Sequence, residues 1–186
     1  MKLDAADGQE LIALARECVH RALVEGAHPA FPERAYIGAL AEPRSAFVTL
    51  RIGAALRGCC GSLEPRFPLA EEVWHDAWAA AFRDPRFAAV TPHEWPQLHF
   101  HVSVLEQPRP VDVANEDELV EMLEPGRDGL VLEWRGARAT FLPAVWEQIG
   151  DAREFVRRLK LKAGWPAHFW APDLRPSIYG VEEFDE

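Results

Sequence analysis

The sequence predicts an α+β fold, a mainly antiparallel sheet with flanking helices. Two observations lead there. Strand-like runs come in pairs separated by one or two turn residues, which reads as hairpins. Helical runs sit between those pairs instead of alternating with single strands. Hairpin pairing disfavours a doubly wound parallel sheet, where each strand needs a crossover. At 186 residues the chain has room for one domain with a core, or for one domain with a small lobe attached. No break in composition demands two independent domains, so a single domain over residues 1–186, at most two-lobed, is expected.

Residues 8–25 predict an amphipathic helix, with Leu11, Leu14, Ala15, Cys18, Val19 and Ala22 on one stripe. Asp7 and Glu10 have the spacing of a capping box. Cys18 falls on the apolar stripe and reads as a buried thiol. Residues 26–43 are loop-rich, with Pro29, Pro32 and Pro43. In 46–52, Val48, Leu50 and Ile52 alternate with Phe47, Thr49 and Arg51, the pattern of a half-buried strand. Gly53 turns the chain, and residues 55–63 return as a second strand. Residues 68–82 predict a helix, with Pro68 suited to its first turn and Glu71 and Glu72 to its positive end. Asp84-Pro85 stops it. Residues 91–94 read as a short capped turn. Residues 98–105 form a strand with Phe100, Val102 and Val104 on one face and His99, His101 and Ser103 on the other.

Asn115 begins a short helix to Leu123, with Glu118 completing a box-like pattern. Residues 130–134 and 137–142 make a hairpin around Arg135-Gly136. Residues 143–149 predict a short helix. Asp151 caps another, which runs to Ala163 and stops at Gly164. Residues 177–184 read as one final strand.

Hydrophobic residues make up 48% of the chain and seven are tryptophan, a composition that builds a core. Thirty acidic against twenty basic residues give a net charge of -10. Such a surface repels phosphate backbones, so no nucleic-acid partner is expected. The basic run 157–162 lies near a helix C-terminus, where cations suit the dipole. No apolar run approaches the roughly 20 residues of a membrane span. The first seven residues lack the apolar core of a signal peptide, and three cysteines do not make a disulfide framework. A cytoplasmic location without membrane partners is expected. Gly-x-Gly-x-x-Gly, Walker and Gly-x-Ser-x-Gly patterns are absent, so no cofactor is predicted.

The chemistry concentrates in Leu56-Arg57-Gly58-Cys59-Cys60-Gly61-Ser62-Leu63. Adjacent strand residues point to opposite faces, so the two cysteines are poorly placed to share a metal or to form a disulfide. No metal site is predicted. One thiol faces in and the other out. The outward thiol is a potential nucleophile where a cation lowers its pKa, and on a regular strand Arg57 shares the face of Cys59. Gly58 and Gly61 let a ligand or another backbone come close. The same residues also fit two small side chains packed beside bulges, the commoner use of free cysteine. His99 and His101, at i and i+2, can hold a metal with a further ligand or act as acid and base. They also fit an ordinary polar face opposite a core face. Glu64 follows the cysteine strand, and Asp84 reads as a turn or capping residue. The other five histidines form no spaced ligand set.

Several segments occur together in one order: FVTLRIGAALRGCCGSLEPRFPLAEEV, AAAFRDPRFAAVTPHEWPQL, HVSVLEQP, GRDGLVLEWRGARATFLPAVWEQI and LKLKAGWPAHFW. This set resembles the AMMECR family, in particular its bacterial branch, the AmmeMemoRadiSam system protein A. The likeness runs from the first helix to the 179–184 tail. Its most specific element is Leu56-Arg57-Gly58-Cys59 followed by an apolar residue, glycine, and threonine or serine. The resemblance implies an α+β, AMMECR-like fold with a smaller lobe, and a cleft lined by the Leu-Arg-Gly-Cys segment. It implies two partners, a Memo-like protein similar to non-haem-iron dioxygenases and a radical-SAM enzyme, and it delivers no reaction. The family usually has isoleucine where this chain has Cys60. Cys59 is therefore the residue carried over, and Cys60 is expected to pack inward.

Two functions follow as expectations. The first is a subunit or adaptor for those partners, with a ligand-binding cleft at Gly58, Gly61, Ser62, His99 and His101 around Cys59. Its motives are the lack of a complete triad, metal set or phosphate loop, and the aromatic stretch from Trp165 to Trp170, which looks exposed and fits simple core cover equally well. The second is a thiol-dependent enzyme. There Cys59 is a nucleophile or redox-active residue, Arg57 stabilises a thiolate or an anionic substrate, and Glu64 or a histidine moves protons.

Overall fold

The computed structural model describes residues 2–186. In chain order the elements are α1 (Ala5–Glu25), β1 (Ala46–Ile52), β2 (Ala55–Gly61), α2 (Leu69–Phe82), β3 (Leu98–Leu105), β4 (Arg109–Pro110), α3 (Glu116–Met122), β5 (Gly129–Trp134), β6 (Ala137–Phe141), α4 (Ala152–Lys162), β7 (Arg175–Tyr179) and β8 (Val181–Asp185). They form an α+β protein with two antiparallel sheets. The chain divides into two compact units. One runs through Leu105 and takes in Glu182–Glu186; the other is Glu106–Val181. Among the described residues no helix is long and apolar enough to cross a membrane.

The first unit holds the sheet β2-β1-β3-β8. Its inner face is Val48, Leu50, Phe100, Val102 and Val104, closed by Leu11, Leu14 and Cys18 of α1 and by Val73, Trp74 and Ala77 of α2. The helix α1 starts three residues earlier than the apolar stripe predicts. Asp4 is its N-cap, accepting the amides of Ala6 and Asp7 at 2.8 and 2.9 Å, while Asp7 accepts the Asp4 amide at 3.1 Å. The capping box is therefore Asp4–Asp7, not Asp7–Glu10. It can sit one turn earlier because Asp7 supplies the reciprocal acceptor at the third helical position. Pro68 is the N-cap of α2 and not a first-turn residue.

The strand β2 stops at Gly61, two residues short of the alternation, because Ser62 folds its hydroxyl onto the Glu64 carbonyl and amide at 2.7 and 3.2 Å and starts a turn. Its ladder with β1 slips between Leu50 and Arg51. Leu50 pairs with Gly58 and Arg51 with Leu56, so Arg57 is the extra residue of a bulge. Gly58 is where α2 comes closest. A Cβ there would lie inside the contact distance of the Ala80 carbonyl oxygen.

The second unit holds the sheet β4-β7-β5-β6 with α3 and α4. Leu119, Leu130, Leu132, Trp146, Phe155, Val156 and Leu159 form its core. Trp146 and Phe155 stack with ring centroids 3.9 Å apart. Arg135 and Gly136, at φ 47° and 83°, supply the two left-handed residues of the β5–β6 turn. The short helix predicted over 143–149 is a 3-10 helix at Pro143–Glu147. The stretch from Trp165 to Trp170 is not an exposed aromatic tail: Trp165 is buried in this core, and Phe169 and Trp170 pack half-buried against it. The single predicted final strand is two. Gly180 separates β7 from β8, its amide and carbonyl both engaged by Glu106 at 3.3 and 3.0 Å, and the two strands join different sheets.

The close approach at Gly58 is testable. Gly58→Ala forces α2 away from β2, because the obstacle is backbone and not a flexible side chain. It is expected to lower stability by about 2–3 kcal/mol, seen as a lower urea midpoint with an unchanged slope.

Candidate functional site

Alternation along β2 separates the two thiols. Gly58 and Cys60 pair with Leu50 and Val48, whose side chains are buried, so they face α2 and the core. Cys60 packs against that core, and burial, then the neighbouring Asp76, push its thiol up. Cys59 faces the other way, opposite Thr49, and Thr49 on its far side pairs with His101 of β3. The Cys59 amide points away from β1 and donates to Asp84 Oδ2 at 2.9 Å. Cys59 and Thr49 are therefore a non-hydrogen-bonded ladder pair, whose side chains stand close. The Thr49 hydroxyl donates to Cys59 Sγ at 3.4 Å. His101 is tied by Nδ1 to Asp185 Oδ1 at 2.7 Å and by Nε2 to Ser103 Oγ at 3.0 Å. The outer face thus carries a row running Cys59, Thr49, His101, Asp185. Cys59 and His101 lie two strands apart, with the Thr49 hydroxyl between them.

Arg57 does not reach toward the thiol as a free cation. Its Nε donates to Glu94 Oε1 at 2.6 Å, and its Nη2 donates to Ala88 O at 2.9 Å and Glu94 Oε2 at 3.3 Å. Its Nη1 is buried without a partner. Glu94 also accepts the Thr91 amide and hydroxyl at 2.9 and 2.8 Å. The Arg57 hydrogen bond, above all, holds the Glu94 carboxyl down at about 2. Asp84 accepts from Arg86 Nε at 3.0 Å and Nη2 at 2.7 Å, which, with its amide bonds, keeps it well below the ordinary carboxylate range. The Arg57–Glu94 pair and the Cys59 amide on Asp84 therefore fasten the segment 84–94 along the free edge of β2, while the Arg86–Asp84 pair braces that segment from within.

The remaining candidates fall elsewhere. Gly58 faces Ala80, and Gly61 is closed over by Ala46 O and the Phe47 ring. Ser62 is committed to the Glu64 turn, which leaves Glu64 exposed beyond the strand end. His99 pairs across the ladder with Arg51 on the exposed part of the sheet. Among the described residues no group of three or more His, Cys, Asp or Glu side chains is placed to hold a metal. Grooves in this unit lie away from Cys59. One of about 370 Å³ is lined by Ala22, Leu23, Trp78, Phe82 and Arg83, and another runs along α1 to Asp185; neither is lined by Cys59. Sequence reasoning missed Thr49 and Asp185, which join the row only through strand pairing. It also missed the contact of His28 Nε2 with His75 Nδ1 at 3.2 Å, made across 47 positions of chain.

The fold and the site together define an α+β protein of two antiparallel sheets, with an outward cysteine on an edge strand. The chain belongs to the AMMECR1 family, whose model matches residues 12–184. A protein of Thermofilum pendens is 41% identical over 91% of this chain and 84% of its own length. Protein MK0488 of Methanopyrus kandleri is 38% identical over the whole of this chain and 91% of its own. The solved structure of PH0010 from Pyrococcus horikoshii superposes with a TM-score of 0.79 at 32% identity, covering all of this chain and 94% of that one. All three are archaeal.

Two expectations follow from this geometry. In native protein, iodoacetamide is expected to label Cys59 first and Cys60 more slowly. Cys18, buried with its thiol pushed up to about 12, is labelled only on unfolding; peptide mass mapping reads the order. The Arg57–Glu94 pair sets an acid limit. Because the folded value of Glu94 lies below its ordinary 4.5, its contribution to stability is full above about pH 4.5 and fades as pH falls toward about 2. Glu94→Gln is expected to flatten that limb in acid denaturation curves.

Proposed function

We propose that this chain is a ligand-binding subunit or adaptor of the bacterial AmmeMemoRadiSam type, acting in the cytoplasm with a Memo-like protein and a radical-SAM enzyme. The face around Cys59 is the ligand surface in this reading. The observation that carries it is the state of the two groups beside that thiol. Arg57 is spent on Glu94, and His101 stands two strands away with Thr49 between. A nucleophilic thiol works with a cation or base against it, whereas a row of donors and acceptors across a sheet suits binding. Family membership and the resemblance of the Leu-Arg-Gly-Cys segment support the choice of partners. The test is co-purification of tagged chain with both partner proteins at native levels. Retention of at least one partner is expected, and loss of both would overturn the adaptor role.

A thiol-dependent reaction at Cys59 is the second reading, favoured by the outward thiol with a hydroxyl donor at 3.4 Å and by the His101–Asp185 pair on the same face. The two readings separate in the Cys59→Ser variant, which keeps the size and polarity of the side chain. Partner and metabolite binding within a few-fold of the parent is expected for a binding surface. A covalent adduct on Cys59 in parent protein, absent from the variant, favours the thiol chemistry.

A further inference from the structure

The helix α2 carries two wholly buried carboxylates one turn apart, Glu72 and Asp76, and a single guanidinium serves both. Arg66 Nε and Nη2 donate to Glu72 Oε1 at 2.9 and 2.6 Å, and Nη2 also donates to Asp76 Oδ1 at 2.8 Å. Glu72 Oε2 accepts the backbone amides of Arg66 and Phe67 at 3.2 and 3.1 Å. Glu72 is therefore saturated. Asp76 Oδ2 is buried with no partner at all. The cluster lacks one positive charge and one donor, and the missing unit is a proton on that oxygen. What Arg66, Glu72 and Asp76 hold in place is the segment 62–68, the continuation of the Cys59–Cys60 strand into α2. That segment is mostly exposed from Leu63 to Arg66.

We propose that Asp76 is a proton-operated latch: with its proton the segment 62–68 is clamped on α2, and without it the segment lifts and lets water reach the carboxylate. The groups that face Asp76 are consistent with this. On its own helix stands Glu72, an anion; from the segment comes Arg66, the one cation; from β2 comes Cys60. The core against which α2 packs is apolar, with Val48 and Leu50 of β1 and Ala39 and Leu40 of the turn at 38–41, and Cys18 of α1 is already bonded to Trp74 O at 3.1 Å. Nothing on those elements replaces the missing charge. Burial first, then repulsion from Glu72, outweigh the attraction of Arg66 and push the carboxyl up to about 7.

The sign follows by linkage. The clamped form holds the proton more tightly than a hydrated Asp76, whose ordinary value is 3.8, so the clamp is favoured at low pH. Between those two values each pH unit raises the open fraction about tenfold, and above about 7 it levels off.

Amide hydrogen exchange between pH 5 and 8.5, corrected for intrinsic rates, tests this in the intact chain. Protection of the Arg66 and Phe67 amides is expected to fall about tenfold per pH unit up to about 7 and then stay flat. Amides of β1 and β3 should not follow. Asp76→Asn, which keeps the shape without the titration, should abolish the slope. Carboxyl carbon-13 NMR of the parent protein gives a variant-free check, with Asp76 titrating near 7. A midpoint near 4, a flat exchange profile in the parent, or an equal slope in the β1 and β3 amides each overturns the latch.

Discussion

The position of Cys59 depends on one contact, the close packing of α2 on the edge strand β2. An edge strand exposes a row of unpaired amides and carbonyls, and it invites pairing with other chains unless it is covered. Here Gly58 removes the side chain that would hold α2 off, and the Ala80 carbonyl comes down onto the strand. Once α2 is seated there, its N-terminal half meets the residues that follow β2, and the turn past its C-terminus meets the strand at Cys59. Glu72 and Asp76 grip the residues that leave the strand, and Asp84, just past the helix end, accepts the Cys59 amide. The strand is thus closed by carboxylates along its outer side, and the Cys59 side chain is presented from a fixed backbone.

That fixed backbone explains why adjacent cysteines have unlike roles in the fold. Strand alternation alone assigns one to each face, but only the packing of α2 decides which face is the core. The bulge at Arg57 adds a second consequence. By giving β2 one extra residue, it lets the Arg57 guanidinium bend to the 84–94 segment, where Glu94 and Ala88 take it up. The charge closest to Cys59 in sequence is therefore used in bracing the strand, and the thiol is left with the Thr49 hydroxyl of β1 and with Arg86, which acts on it electrostatically from the 84–94 segment.

Most of the fold was legible in the sequence because it rests on local pattern. The strand β3 is legible to the residue, and the turn at Arg135-Gly136 is marked by its glycine, which takes positive φ freely. The misplaced boundaries lie where a side chain overrides periodicity: Asp4 starting α1, Ser62 ending β2, and Glu106 engaging Gly180 to divide one apparent strand into two. The site was less legible. Cys59 facing out and Cys60 facing in followed from alternation plus the resemblance. The surroundings of Cys59 did not follow, since Thr49, His101 and Asp185 form one row only through strand register, and Asp84 reaches the Cys59 amide from the turn after α2. Glu72 reads in the sequence only as an acid suited to the positive end of a helix; no local signal says that a glutamate in a first turn will be wholly buried and bonded to two amides.

Counting charges over the three clamps around β2 shows why they differ in kind. Arg57 meets Glu94 and Arg86 meets Asp84, one cation to one anion, and in both pairs the carboxyl is held down. In both pairs the guanidinium hydrogen bonds, with backbone amides beside them, keep the carboxylate ionised. Arg66 meets two anions, both removed from water, and one oxygen has no donor. A buried charge without a partner is far more costly than a satisfied pair, so the group neutralises by taking up a proton. The balanced clamps are therefore insensitive to pH around neutrality, while the unbalanced one titrates there. Placed immediately after the cysteine strand, that imbalance gives the Cys59 end of the molecule a degree of freedom that the Asp84 side lacks.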